Sequence, residues 1–187
     1  MDVAPLIALL DLFSRVLLAL IFLQAAHGKL ANRSVLPAIV RNYRLLPHAA
    51  VRPAAAILPI VEVLLAAALL SGPAPAAAAI AAAALLVLFA AAMGVNLMRG
   101  RREIDCGCFQ SGLRQSLSWF LVGRNLVLAA LAMLGVLGAT VELDPASVVE
   151  AAVAGAIAFV LYNALNLLTE AKRRTHLWPW PQRTIPS

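Results

Sequence analysis

Charge is scarce in this chain: 13% of its 187 residues are Asp, Glu, Lys or Arg, whereas 63% are hydrophobic. A water-soluble domain of that make-up would leave large apolar surface in water. A soluble fold is therefore excluded, and no segment reads as a soluble domain. Nitrogen and sulfur ligands for zinc are equally sparse. Beyond two cysteines the chain offers only His27, His48 and His176 as ring nitrogens, at no spacing suited to a four-ligand zinc site. Aromatics make up 6%, and the basic residues behind the net charge of +6 lack the interleaved aromatic platform of a nucleic-acid surface. Anionic lipid headgroups are their expected counter-charge. No internal repeat is evident.

What the chain has is long apolar runs. A span needs roughly 20 apolar residues to cross about 30 Å of hydrocarbon, and five stretches qualify: 5–26, 53–70, 76–98, 117–137 and 145–168. They predict an all-α, polytopic membrane bundle of about five transmembrane helices. The first run has Asp2 where a secretory signal has a basic n-region, and no small-residue cleavage pattern precedes His27-Gly28-Lys29, so it reads as a retained helix. "SGPAPAAAA" (71–79) marks a tight turn between the second and third spans. The alanine runs read as small side chains that let membrane helices approach closely.

Lysine and arginine in the short loops set the expected orientation. One side carries Lys29, Arg33, Arg41, Arg44 and Arg52, then Arg99, Arg101, Arg102 and Arg114, then Lys172, Arg173, Arg174 and Arg183. The other carries almost none, which puts the N-terminus outside and the C-terminus in the cytoplasm. "SVLPAIVRNYRLLPH" (34–48) mixes apolar and basic residues and suits the headgroup plane. Residues 1–170 form the expected membrane domain and 171–187 a basic tail, which Trp178 and Trp180 anchor at the interface.

Both cysteines fall in "REIDCGCFQ" (102–110), as Cys106-Gly107-Cys108, beside arginines and just before the fourth span. Three readings compete: a redox-active disulfide, a metal site and two small structural residues. A bridge across one residue closes a small, strained ring, and strain makes a disulfide easier to reduce. Gly107 permits backbone angles closed to other residues. Nearby arginines favour thiolates, whereas Glu103 and Asp105 oppose them. Two thiolates would suit copper(I), so copper handling stays open.

Ionisable groups inside hydrocarbon are costly and point to function or to pairing. Asp11 and Arg15 lie four apart on one helix face and are expected to neutralise each other. Glu62 and Arg124 sit at similar depth in the second and fourth spans, which predicts a Glu62–Arg124 contact or water-bridged pair. Asn96, Asn125, Asn163 and Asn166 fall mostly toward the cysteine side and suggest a polar pocket there. No cofactor is assigned, but a quinone headgroup or a partner's thiol is what such a pocket would take.

"HGKLANRSVLPAIVRNYRLLP", "LPIVE", "NLMRGRREIDCGCF" and "LSWFLVGRN" together resemble the MauE family of methylamine utilisation membrane proteins, within the wider DoxX-like group with its four-helix core. The resemblance runs from the first span through the fourth. It implies a bacterial inner-membrane protein needed for maturation of the disulfide-rich methylamine dehydrogenase small subunit, an exported client, together with a thioredoxin-like partner. The shared motif positions are Lys29, Tyr43, Pro47, Glu62, Asn96, Arg99, Cys106, Gly107, Cys108, Phe109, Trp119, Arg124 and Asn125. Gln110 departs from the glycine that family members often carry after the phenylalanine. The expected function is thiol-disulfide exchange with Cys106 and Cys108 as the reacting groups and Gly107, Phe109, Glu62, Asn96, Arg99, Trp119, Arg124 and Asn125 in support. The alternatives are a non-catalytic scaffold or export factor for the thioredoxin-like partner, and copper handling. Loop charges put the cysteines at the cytoplasmic rim, about 30 Å from an exported client. A dipping loop that meets a quinone, a relaying partner, or a failure of the charge rule would each reconcile the two.

Overall fold

The computed structural model describes residues 4–71, 75–107, 116–138 and 144–177. Six helices follow one another there: α1 (Ala4–Ala31), α2 (Leu36–Asn42), α3 (His48–Ser71), α4 (Pro75–Met98), α5 (Trp119–Gly138) and α6 (Pro145–Leu177). Among the described residues the only β-type pairing is an isolated antiparallel bridge between Asp105 and Ser116. Helices α1, α3, α4 and α6 are each long and apolar enough to cross a membrane. Helix α5, with 20 residues, reaches roughly 30 Å. The protein is an all-α, multi-pass membrane bundle.

The five apolar runs all became helices, but several ends moved. Helix α1 continues past Ala26 to Ala31, because Lys29 at its end is drawn into the bundle. Helix α3 starts at His48, ahead of Pro53, and runs through both Pro53 and Pro59. Proline removes a helical hydrogen bond, yet inside a membrane protein neighbouring groups re-satisfy the freed backbone. Helix α6 extends beyond the apolar run to Leu177. The segment expected in the headgroup plane contains the seven-residue α2, which turns Leu36 and Ile39 inward and buries both. The turn residues 72–74 and the tail anchors Trp178 and Trp180 lie outside the described residues.

Helix α1 packs against α3, α5 and α6, while α4 packs on α5 and more sparsely on α3. This makes a ring in the order α1, α3, α4, α5, with α6 outside on α1. Leu18 and Phe22 of α1, Ala66 and Leu69 of α3, Ala82 and Leu86 of α4, and Leu128 and Ala132 of α5 fill its centre. Ala78, Ala79, Ala82, Ala83 and Ala90 are buried along α4, the small-residue packing expected of the alanine runs. Large apolar side chains such as Ile57, Leu64, Val127, Val160 and Leu168 face outward, as a lipid-facing surface requires.

Two termini show how local chemistry sets the ends. At the C-terminus of α4, the Gly100 N–H donates to Leu97 O and the Arg101 N–H to Asn96 O, both at 3.0 Å, with Gly100 at φ 73°. This is a Schellman closure, which favours glycine because of the left-handed φ. At the start of α6, Asp144 accepts the Ser147 N–H at 3.2 Å and the Ser147 hydroxyl at 2.5 Å, capping the helix.

Candidate functional site: a cavity beside Cys106

The polar residues of the spans do not gather into one pocket. Each of the four asparagines donates its amide to its own helix four residues back: Asn96 to Ala92 O, Asn125 to Leu121 O, Asn163 to Phe159 O and Asn166 to Tyr162 O, at 2.7 to 3.0 Å. For three of them the side-chain oxygen then accepts from elsewhere. Asn96 receives Arg101 at 2.9 Å, Asn163 receives Gln24 at 2.7 Å and Asn166 receives Arg124 at 2.9 Å. These bonds tie α6 to α1 and α5, and tie the loop after α4 back to α4. The expected polar pocket is thereby replaced by separate interhelical bonds.

Glu62 also finds a different partner from the one expected. Its Oε1 accepts from Lys29 Nζ at 2.6 Å, with side-chain exposures of 0% and 6%. Arg124 instead donates to Asn166 and lies over the Tyr162 ring, 5.5 Å from its centroid. The reason is topological: α3 packs on α1 and α4, whereas α5 stands across the ring from it. Lys29, at the end of α1, has a long stem that leans back toward the helix N-terminus and so into the membrane. Its ammonium also stands 5.6 Å from the Phe89 ring centroid, a cation–π contact. Asp11 and Arg15 do meet, at 3.8 Å, and Arg15 Nε donates to Leu69 O at 2.8 Å.

The loop after α4 is folded over this end of the bundle. Leu117 N–H donates to Ile104 O at 3.1 Å beside the Asp105–Ser116 bridge, closing the two strands of the loop at its base. Asp105 Oδ1 accepts the Gly107 N–H at 3.1 Å. Tyr43 donates its hydroxyl to Cys106 O at 3.2 Å, and Arg101 reaches the Tyr43 carbonyl at 3.5 Å as well as Asn96. Cys106 is half-buried and packs on the cluster Met93, Leu97, Leu117 and Leu121. Gly107 has φ 72°, and a Cβ there would stand 3.2 Å from Ile39 Cγ2. Two features thus require glycine: the left-handed backbone and the close approach of α2.

Under this loop lies a cavity of about 280 Å³. Its walls are Leu36 and Ile39 of α2, Leu58 of α3, Phe89 and Met93 of α4, with Lys29, Cys106 and Gly107 at its polar edge. It occupies the sparse seam between α3 and α4. Leu45, Leu46 and Leu88 line it and are also exposed outward, so its mouth is on the flank of the bundle.

Of the expected site residues, Cys106, Gly107, Tyr43 and Lys29 line one cavity, and Glu62 joins them through its bond to Lys29. Asn96 is joined to them through Arg101. Arg99 is exposed at the end of α4 and Trp119 is 55% exposed at the start of α5. Arg124 and Asn125 belong to the α5 side of the bundle. Cys108, Phe109, Gln110 and Arg114 lie outside the described residues. Lys29 is the residue whose role loop charge alone does not reveal. Its place two residues from the end of an apolar helix, with the Glu62 carboxylate buried in the next span, is the available signal. Among the described residues no group of three or more His, Cys, Asp or Glu could hold a metal ion.

Compared with known proteins, residues 7–138 match the family model described as "Methylamine utilisation protein MauE", a stretch running from α1 to the end of α5. The chain is similar to proteins named methylamine utilization protein MauE in three organisms. That of Paracoccus denitrificans is 48% identical over 157 residues, 82% of this chain and 84% of the relative. That of Paracoccus versutus is 44% identical over 156 residues, 82% and 84% of the two chains. That of Methylorubrum extorquens is 41% identical over 159 residues, 84% and 86%. No solved structure matches the chain.

Proposed function

The chain belongs to the MauE family of methylamine utilisation proteins, and from that membership we propose that it carries out thiol-disulfide exchange during maturation of an exported, disulfide-containing protein of methylamine metabolism. Cys106 and Cys108 are the reacting pair. A thiolate of the pair attacks a disulfide, or a partner's thiolate attacks the pair's own disulfide, to give a mixed disulfide that the second cysteine resolves. Each cycle breaks one S–S bond and forms another, moving two electrons between the pair and its partner.

The observation that carries this reading is the setting of Cys106. A loop in an otherwise apolar protein is closed at its base, fastened by Tyr43 and Arg101, and bent at Gly107. That much fixed geometry around a thiol suits a reaction that needs one sulfur held while the other is exchanged. A glycine in left-handed conformation lets the backbone turn directly after Cys106 without strain on a side chain.

The supporting residues then divide by position. Asn96 with Arg101 holds the loop, Glu62 with Lys29 holds α1 to α3 beside the cavity, and Arg124 with Asn125 braces α5. Arg99 and Trp119, both exposed, belong to the surface that meets the partner, and Phe109, outside the described residues, is assigned to the same role by its motif position alone. Residues through 170 act as one bacterial inner-membrane domain, and 171–187 as its basic tail. Loop charge places the N-terminus outside and the cysteine side in the cytoplasm, so a thioredoxin-like partner is needed to relay exchange to the exported client. The test is trapping in cells. With Cys108→Ser, Cys106 should hold a partner in a mixed disulfide that reductant releases. If neither cysteine variant traps a partner and client disulfides form normally in both, the exchange reading fails and a scaffold role takes its place.

A further inference from the structure

We propose that the cavity between α3 and α4 binds a lipid-borne quinone, whose ring lies between Lys29 and Cys106 and accepts the electrons the cysteine pair releases. The inference rests on the exchange reading above and names its electron acceptor.

Three features of the cavity select this occupant. Its walls are aliphatic and aromatic, with Leu58, Phe89 and Met93 among them, so a charged or sugar-like ligand would lose hydration without compensation. Its mouth carries Leu88, which is 62% exposed and lies ten residues, roughly 15 Å, before the end of α4. A ligand entering there comes from the hydrocarbon. The inner edge nevertheless holds hydrogen-bond donors. The Lys29 ammonium has three N–H groups, and Glu62 takes one of them at 2.6 Å, leaving donors for a ring oxygen. An acyl chain would match the walls but make no use of this edge. A phosphate headgroup would meet a cation already balanced by Glu62. A quinone offers an apolar body together with two carbonyl acceptors, and a volume of about 280 Å³ suits its ring rather than its whole tail.

Cys106 lines the same cavity, so the acceptor would meet the thiol directly. Two S–H bonds break and one S–S bond forms between Cys106 and Cys108, while the quinone gains two electrons and two protons as two O–H bonds. Both protons come from the two thiols, and Lys29 donates a hydrogen bond to the nearer ring oxygen. Its charge favours the negative charge that builds on that oxygen during reduction. The pair, once oxidised, is ready to receive electrons from the thiols of the exchange partner.

The test uses the full-length protein, reduced and purified in detergent, with a decyl-substituted benzoquinone as probe. Loss of quinone absorbance should match loss of titratable thiol, one quinone per cysteine pair. Ala92→Phe, which fills the cavity from α4, should raise the quinone KM at least about tenfold, whereas Ile57→Phe, on the outer face of α3, should leave it unchanged. Should Ala92→Phe fail to fold, a photoreactive azidoquinone on the unaltered protein should label the segment holding Phe89 and Met93. Labelling elsewhere, a KM indifferent to Ala92→Phe, or a co-purified phospholipid that the quinone does not displace each overturns the site. Labelling of the cavity without thiol oxidation overturns the electron-accepting role. If the quinone fails while Cys106 still traps its partner, the inference falls and the exchange reading stands. If the quinone oxidises the pair but no partner is trapped and client disulfides are normal without the cysteines, the exchange reading falls instead.

Discussion

Replacing Lys29 with methionine removes the cation from a pair that sits at 2.6 Å with Glu62 fully buried. Glu62 lies fourteen residues from the start of α3 and nine from its end, roughly 21 Å and 14 Å along the helix, so its carboxyl cannot reach water by bending. Breaking a buried pair by removing one partner costs about 3 to 5 kcal/mol, and at about 2 to 4 °C per kcal/mol the thermal midpoint should fall by on the order of 10 °C. Glu62→Leu should cost less, because Lys29 is two residues from the end of α1 and its stem can carry the charge to the headgroups. The double variant Lys29→Met, Glu62→Leu leaves no charge behind and should recover most of the loss. Thermal unfolding in detergent, followed by far-ultraviolet circular dichroism for all four proteins, gives the coupling directly. If the two single losses simply add in the double variant, the pair is not what joins α1 to α3 and the reasoning is refuted.

Gly155 faces α1 with room for hydrogen only, since a Cβ would stand 3.0 Å from Phe13 O and from Val16 Cβ. Gly155→Leu should therefore push α6 away, lowering stability by about 1 to 3 kcal/mol, read as a fall in thermal midpoint that Gly123→Leu, with open space around it, does not reproduce. Gly107→Ala places a side chain on a backbone at φ 72° and against Ile39, costing about 1 to 2 kcal/mol from the backbone alone, and should reduce the yield of the Cys106 mixed disulfide more than it reduces total protein. The Ser147 hydroxyl, and after it the Ser147 N–H, hold the Asp144 carboxyl below its ordinary value of 3.8. Its folded value is thus the lower one, so the cap's contribution is complete above 3.8 and fades as pH falls through the folded value. The gap in thermal midpoint between the unaltered protein and Asp144→Asn should be constant above that pH and close below it.

Which parts of this architecture could be read from the chain follows from the physics of each. Apolar length is a one-dimensional property, so 76–98 and 145–168 gave α4 and the membrane part of α6 nearly residue for residue. Helix ends depend on partners: α1 runs on to Ala31 because Lys29 has Glu62 to reach, and no pattern within α1 announces that. Depth alone paired Glu62 with Arg124, but depth says nothing about which helices are neighbours, and the ring order put Lys29 beside Glu62. The asparagines mostly share one half of the bilayer, which in sequence alone suggests convergence. An asparagine in hydrocarbon first bonds its amide to its own helix, as all four do here, and what remains for a neighbour is the oxygen and one N–H. The cavity itself could not be foreseen, since it arises where α3 and α4 fail to close and where α2 and the loop cover the gap.

Disulfide exchange by Cys106 and Cys108 is the proposed core of the protein's work. Its most direct measurement is the redox state of the pair in growing cells, read by trapping thiols with a mass-tagged alkylating agent before and after a brief pulse of reductant. An oxidised form should disappear in the pulse and return after it, with Cys108→Ser accumulating the mixed disulfide in its place. A pair that stays reduced throughout, or stays oxidised without turnover, would contradict it.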